Sequence, residues 1–183
     1  MTWALGQPAP EFTAQTQFGE RTLTDFKGQW VLLFMHPADF TPVCQTEMIA
    51  LEQNRPRFEE LGVQLLGLSV DSVYSHIGWI KSIEQNQGVR LQFPLIADPD
   101  KSIAKEYQGV DAVSGLTTRG VFLIDPNSVV RWAIFYPANV GRSIDEILRV
   151  IQGLQAADEQ KKAAPVNWQP GEDLITGAKA TIE

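Results

Sequence analysis

Of the 183 residues, a single one is cysteine, Cys44. That excludes an internal disulfide, a CxxC exchange motif and a thiolate-rich zinc site. Only two histidines are present, His36 and His76, and with one cysteine they form no zinc-ligand spacing, so no metal and no cofactor is expected. Basic charge is also scarce. Lys and Arg number 15 against 22 Asp and Glu, a net charge of −7, which argues against nucleic acid or an anionic membrane as partner. No apolar run exceeds strand length, so nothing reads as a membrane span. The start, MTWALGQPAPEF, lacks the basic and apolar regions of a secretion signal. Together with an unpaired cysteine this predicts a cytoplasmic protein. Neither GxGxxG nor a P-loop occurs, and there are no repeats or low-complexity tracts.

The apolar pattern supplies the elements. EFTAQT, FGE and RTLTDF read as a hairpin with Gly19 in the turn. Trp30–Met35 and Val63–Val70 are continuous apolar runs, as in strands buried on both faces. Helices are expected over Thr46–Leu61, closed by Gly62, over Val73–Gln85 with Ile77, Ile80 and Ile83 on one side, and over Lys101–Tyr107. Strands follow at Phe93–Ala97, Arg119–Asp125 and Val129–Tyr136. Ser143 and Glu146 stand at capping-box spacing before a helix whose apolar face is Ile144, Ile147, Leu148, Ile151 and Leu154. This order predicts an α/β fold, a central mixed β-sheet flanked by helices, and it resembles the thioredoxin-like fold. We expect one domain over 1–157. Residues 158–183, polar and broken by Pro165, Pro170 and Gly171, are expected to form a C-terminal arm, either packed on a partner subunit or mobile.

The cysteine stands in HPADFTPVCQTEM, directly after the first apolar run. A helix starting at Thr41 as N-cap puts Pro42 at N1, where its missing N–H costs nothing, and Cys44 at N3. Unpaired backbone N–H groups and the positive end of the helix dipole surround that position and favour a thiolate. The plainer alternative is a small buried filler, since free cysteine is among the most buried residue types.

His36-Pro37-Ala38-Asp39-Phe40-Thr41-Pro42-Val43-Cys44 resembles the active-site loop of the peroxiredoxins (AhpC/TSA-like), whose pattern is Pro, three residues, Thr or Ser, two residues, Cys. The HP start and FTPVC resemble the one-cysteine, peroxiredoxin-6-like subgroup. LSVDSVYSHIGW, TTRGVFLIDP, YPANVGRSIDEILRVIQGLQ and PVNWQPGED extend the resemblance over most of the chain. It implies a thiol-dependent peroxidase for hydrogen peroxide and organic hydroperoxides. Cys44 would be the attacking thiolate, Thr41 would hydrogen-bond thiolate and peroxide, and Pro37 would shield the pocket. Arg119, of TTRGVF, would stabilise the anion and the charge moving along the breaking O–O bond. Glu47 would orient arginine, Arg142 would be a second arginine near the site, and His36 would be the subgroup's histidine beside the cysteine. Taken singly, Arg119 and Arg142 read as surface arginines, Glu47 as an acid favoured in a first helical turn, and His36 as a structural histidine. His76, mid-helix, is assigned no role.

The arm of two-cysteine relatives carries a resolving cysteine before a Pro- and Trp-containing stretch. Here the text is AAPVNW, with Ala164 in that place. An external thiol, small molecule or protein, is therefore the expected reductant, and further oxidation to sulfinic acid the expected side reaction. The resemblance also implies a homodimer, in some members a ring of dimers. A GDSWG-type lipase serine is absent: the equivalent text is FKGQWVLLF, with Gln29 before Trp30. Two other functions compete, a non-catalytic holdase on the same fold and a Cys–His hydrolase using His36. The complete Pro37, Thr41, Cys44 and Arg119 set argues against the first, and the lack of an Asn or Asp orienter against the second.

Overall fold

Two apolar runs decide the centre of the molecule. WVLLFM and VQLLGLS become neighbouring parallel strands, β3 (Trp30–Met35) and β4 (Val63–Ser69), paired from Trp30↔Val63 to Met35↔Leu68. Five consecutive β3 side chains, Val31 to Met35, are buried, and burying each large aliphatic contributes about 1.5–3 kcal/mol. Alternation could not mark a strand covered on both faces, but continuity did.

The computed structural model describes residues 3–176. Around β3 and β4 lie β1 (Thr13–Thr16), β2 (Gly19–Thr22), β5 (Leu95–Ala97), β6 (Arg119–Ile124) and β7 (Val130–Tyr136), in the spatial order β2-β1-β5-β4-β3-β6-β7. β3, β4 and β5 are parallel. β6 runs antiparallel to β3, and β7 antiparallel to β6. The fold is therefore α/β with a mixed sheet. Its core gathers Phe12, Leu33, Met35, Leu66, Tyr107 and Phe122. Phe122 takes Trp3 and Tyr107 edge-on at 5.1 and 5.0 Å. Burial pushes the Tyr107 phenol well above its ordinary value, and its hydroxyl donates to the Pro10 carbonyl.

Local chemistry shifts several expected boundaries. The helix expected over Thr46–Leu61 is two helices, α1 (Pro42–Gln53) and α2 (Arg55–Glu60), meeting at Asn54. Pro56 in the first turn of α2 has no N–H to continue the ladder. TDF, expected to extend β2, belongs to a 3-10 turn over Leu23–Phe26, whose Asp25 carboxylate accepts from the Thr22 N–H. α3 runs Val73–Gln87 and ends on Gly88, which has a φ of 68°. Its buried residues are His76, Trp79 and Ile83 rather than the expected isoleucine stripe. α4 is short, Ser102–Glu106.

The chain divides into two compact units, Met1–Arg142 and Ser143–Glu183. The second holds α5 (Ile144–Gln160), whose N-cap Ser143 accepts from the Glu146 N–H. Within that unit Trp168 packs on Gly153 and donates its indole N–H to the Glu172 carbonyl. The expected boundary at 157/158 lies inside α5, and residues 177–183 of the expected arm lie outside the described residues.

Candidate active site

Antiparallel pairing of β3 with β6, and of β6 with β7, brings three strand ends to one edge of the sheet. These are the C-terminal end of β3, the start of β6 at Arg119 and the end of β7, where Tyr136 faces Arg119. The loop from β3 turns there into α1. Phe40, at φ 58°, reverses the chain, and Thr41 (φ −105°, ψ 145°) stands at the N-cap with Pro42 at the helix start. Cys44 is thus the third residue of α1, and it is wholly buried in this chain.

Arg119 reaches it. Its Nη1 donates to Cys44 Sγ at 3.4 Å and to Glu47 Oε2 at 2.6 Å. Its Nε and Nη2 both donate to the Ala138 carbonyl, at 3.0 and 2.6 Å, which fixes the plane of the guanidinium. Glu47, one turn after Cys44 on the same face of α1, also holds Arg142. Arg142 Nε meets Oε1 at 2.9 Å and Nη2 meets Oε2 at 2.8 Å, a two-pronged pair, while the Arg142 N–H adds a bond to Oε1 at 2.9 Å. The remaining nitrogen, Nη1, donates to the carbonyls of Met35 at 2.8 Å and Gly120 at 3.3 Å.

All three side chains are buried: Glu47 is 4%, Arg119 2% and Arg142 9% exposed. Burial would push the Glu47 carboxyl up. The charge and hydrogen bonds of Arg142, with the charge of Arg119, outweigh that and hold it below the ordinary carboxylate range. Two guanidinium cations then face one carboxylate. The cluster therefore carries one positive charge in excess, where Arg119 meets the Cys44 sulfur.

Thr41 does not cap the helix with its side chain. Its hydroxyl donates to the Ala38 carbonyl at 2.8 Å, which leaves its oxygen lone pairs to accept from an incoming O–H. Pro37 is buried in the loop.

His36 is fully buried and engaged by Asp39. Its Nε2 lies 2.8 Å from Asp39 Oδ1, and Nδ1 has no partner among the described residues. Sequence reasoning missed Asp39 and His76. Asp39 Oδ2 lies 2.8 Å from His76 Nδ1 and accepts from Ser75 Oγ at 2.8 Å, while His76 Nε2 lies 3.1 Å from the Ile96 carbonyl. A usable signal was there: His76 stands at i, i+3, i+7 with Trp79 and Ile83, a polar residue on an apolar stripe.

Among the described residues these three, His36, Asp39 and His76, are the one group of ligand-type side chains whose atoms cluster, within 4.8 Å. Their spacing suits protons better than a metal. Tetrahedral zinc, with bonds of about 2.0–2.1 Å, holds its ligand atoms about 3.3 Å apart, whereas both imidazole–carboxylate contacts here are 2.8 Å.

Comparison with known proteins follows the same lines. Residues 5–133 match the AhpC/TSA family, and residues 153–183 match the C-terminal domain of 1-Cys peroxiredoxin. The chain is 56% identical over 179 residues to peroxiredoxin 2 of Thermoplasma acidophilum, covering 98% of this chain and 90% of that protein. Among solved structures, a yeast mitochondrial 1-Cys peroxiredoxin, whose thiol resolution is described via glutathione/thioredoxin systems, superimposes with a TM-score of 0.89 at 39% identity, covering 96% of this chain and 87% of that one. A cysteine-to-serine mutant of peroxiredoxin 6 from Arenicola marina gives a TM-score of 0.90 at 37% identity, covering 97% of this chain and 86% of that one.

Proposed function

The chain belongs to the AhpC/TSA family as a one-cysteine peroxiredoxin, and on that premise we infer how its residues divide the work of a thiol-dependent peroxidase. The reaction reduces hydrogen peroxide and organic hydroperoxides through a Cys44 sulfenic acid that an external thiol resolves. The observation that carries the assignment of roles is the 3.4 Å contact between Arg119 Nη1 and the sulfur of the chain's one thiol.

The Cys44 thiolate attacks the distal peroxide oxygen. An S–O bond forms, the O–O bond breaks, and the electron pair leaves on the proximal oxygen, which takes a proton and departs as water or alcohol. Arg119 stabilises the sulfur anion first and the charge moving onto the leaving oxygen afterwards. Thr41 accepts the peroxide O–H through the lone pairs its bond to Ala38 leaves free. Glu47 fixes Arg119 against Cys44, and Arg142 balances Glu47 and ties it to the β3 and β6 carbonyls. Pro37 closes the loop side of the pocket. His36 acts through Asp39.

A first external thiol then attacks the sulfenic sulfur and expels water, and a second reduces the mixed disulfide back to Cys44. Cys44 is wholly buried, so a thiol much larger than a peroxide reaches it only when the loop or the first turn of α1 moves. Glutathione or a thioredoxin-type protein fits this role. A reducing cytoplasm suits a peroxidase that depends on an outside thiol, and among the described residues no helix is long and apolar enough to cross a membrane. The reading includes a homodimer. β7 is an edge strand, and Phe135 on it is 43% exposed.

Intact-mass spectrometry after one equivalent of hydrogen peroxide tests the cycle. One oxygen gained on Cys44, and lost again on adding thiol, is the expected result. A thiol still free after minutes, or peroxide consumed equally by Cys44→Ser, would overturn it.

A further inference from the structure

The catalytic loop contains a buried ionic network, one member of which, His76, has no part in the steps above. Asp39, between Pro37 and Thr41, is 6% exposed, and His36 and His76 are not exposed at all. The protons can be assigned from the partners. The Ile96 carbonyl can only accept, so His76 Nε2 carries a proton. Asp39 accepts from Ser75 Oγ on Oδ2 and faces an imidazole nitrogen with each oxygen, and these hydrogen bonds hold its carboxyl far below the ordinary value, as a carboxylate. His76 Nδ1, 2.8 Å from that carboxylate, therefore carries a proton as well, and the ring is an imidazolium. His36 is different: Nε2 donates to Asp39, while Nδ1 has no partner among the described residues, so this ring is neutral. The His76 cation faces the Asp39 anion where both side chains are buried, as burial of charge demands.

Each group's protonation agrees. Burial would raise the Asp39 carboxyl, but the hydrogen bonds and charges of the two histidines hold it far below its ordinary value. Burial would lower His76, yet its bond to Asp39, the Asp39 charge and the Ile96 carbonyl leave it raised. For His36 burial prevails over Asp39, and the ring is lowered. The titratable groups facing His76 are Asp39 and His36 from the loop side and Asp71 from the β4–α3 connection. Asp71 itself accepts from the Asp39 N–H at 2.9 Å and from Ser69 Oγ at 2.7 Å.

We propose that His76 is a positioning residue for peroxide reduction: held between Asp39 and the Ile96 carbonyl, it ties the Pro37–Thr41 loop to α3 and β5 and so sets where Pro37, Thr41 and the start of α1 stand relative to Arg119. It touches neither sulfur nor peroxide. Of the other side chains that bond Asp39, His36 and Ser75 are neutral and Asp71 is itself an acid, so His76 supplies the counter-charge. The backbone on the near side of the loop is held independently, by Thr117 bonding the His36 carbonyl and Arg142 bonding the Met35 carbonyl. Without His76 the far side retains the Ser75 hydroxyl and the bond from the Asp39 N–H to Asp71, and no cation among the described residues faces the Asp39 carboxylate.

The proposal rests on Cys44 as the peroxide-reactive thiol, and its test separates the two. Histidine-ring nitrogen NMR on the unmodified protein at about pH 7.5, above the ordinary histidine value of about 6.5, is expected to show protons on both nitrogens of His76 and on one of His36. A neutral His76 ring, or one equivalent of zinc retained by the purified protein and released by His76→Gln, would overturn the proposal. In stopped-flow assays the second-order rate constant for hydrogen peroxide is expected to fall about 10²-fold in His76→Gln and in Asp39→Asn, the scale of a misplacement of about 1 Å. The double variant should lose no more than either single one, because the pair acts as a unit. The wild-type rate should decline on the alkaline side as His76 gives up its proton, and that decline should be absent in His76→Gln. Wild-type rates in both single variants, losses that multiply, or an alkaline decline retained in His76→Gln would overturn it. Should His76→Gln fail to fold, the near-isosteric Asp39→Asn and the ring spectra decide. A wild-type protein that consumes no peroxide would instead defeat the peroxidase reading.

Discussion

Cys44 and Arg119, 75 positions apart in the chain, meet at 3.4 Å, and the same arginine nitrogen that touches the sulfur touches Glu47 at 2.6 Å. One nitrogen is therefore shared between the chain's one thiol sulfur and a buried carboxylate. Both acceptors stand on α1, so the position of the Arg119 charge is set by that helix.

Removing that charge should slow chemistry more than it disturbs the fold. Arg119→Ala is expected to lower the rate constant for peroxide by about 10²–10³-fold, the cost typical of losing one preorganised donor to developing negative charge. Alkylation of Cys44 by iodoacetamide at neutral pH should slow as well. Arg119→Lys should recover only part of either rate, since an ammonium cannot grip Ala138, Glu47 and sulfur in one plane. Stopped-flow peroxide consumption and timed alkylation measure both.

Glu47→Gln should cost both stability and rate. The substitution leaves two buried guanidinium groups without their carboxylate, and breaking a buried pair typically costs about 3–5 kcal/mol. Urea denaturation should show a loss of that order. Because Glu47 titrates lower in the folded chain than in the unfolded one, its contribution is complete above the unfolded value of about 4.3. It is lost as pH falls through the depressed folded value. The difference in stability between wild type and Glu47→Gln should accordingly shrink on acidification.

The two histidines predict opposite limbs of one stability profile. His76 is raised on folding, so its contribution is complete below about 6.5 and is lost as pH rises through its folded value. His36 is lowered on folding, so its contribution is complete above about 6.5 and is lost as pH falls toward its folded value. Their joint contribution is greatest near pH 6.5, about the ordinary histidine value. Denaturant midpoints measured against pH should show it as a maximum in the difference between wild type and a His36→Gln/His76→Gln double variant.

Gly67 makes a prediction remote from the site. It lies on β4 between Phe34 of β3 and Leu95 of β5, its partners in register. An added Cβ would stand 2.4 Å from Leu95 Cδ2 and 3.1 Å from the Phe34 ring. Both neighbours are buried, so Gly67→Ala should destabilise by about 1–3 kcal/mol through overpacking. Urea denaturation should report this with little change in the peroxide rate constant of the folded fraction.

The sequence by itself determined which residue is the candidate nucleophile and what kind of element carries it. Thr41, Pro42 and Cys44 are neighbours in the chain, and the preference of a threonine for the N-cap and of a proline for the first helical position is local physics. Continuous apolar runs marked β3 and β4 because a strand buried on both faces needs no alternation. Glu47 was legible as a neighbour of Cys44 because one helical turn separates them. Tertiary structure decided the rest. Arg119 reads as an ordinary arginine at a strand start until antiparallel pairing of β3 with β6 sets it opposite the β3 end. Nothing in the sequence singles out the carbonyls of Ala138, Met35 and Gly120, because every residue has one and only the register of the sheet selects which point at an arginine. His76 shows in the sequence as a polar residue on an apolar stripe, but what it binds does not, for a related reason. Its partners, Asp39 and the Ile96 carbonyl, come from a loop 37 residues away and a strand 20 residues away, and no periodicity records a contact that exists only after three elements have packed.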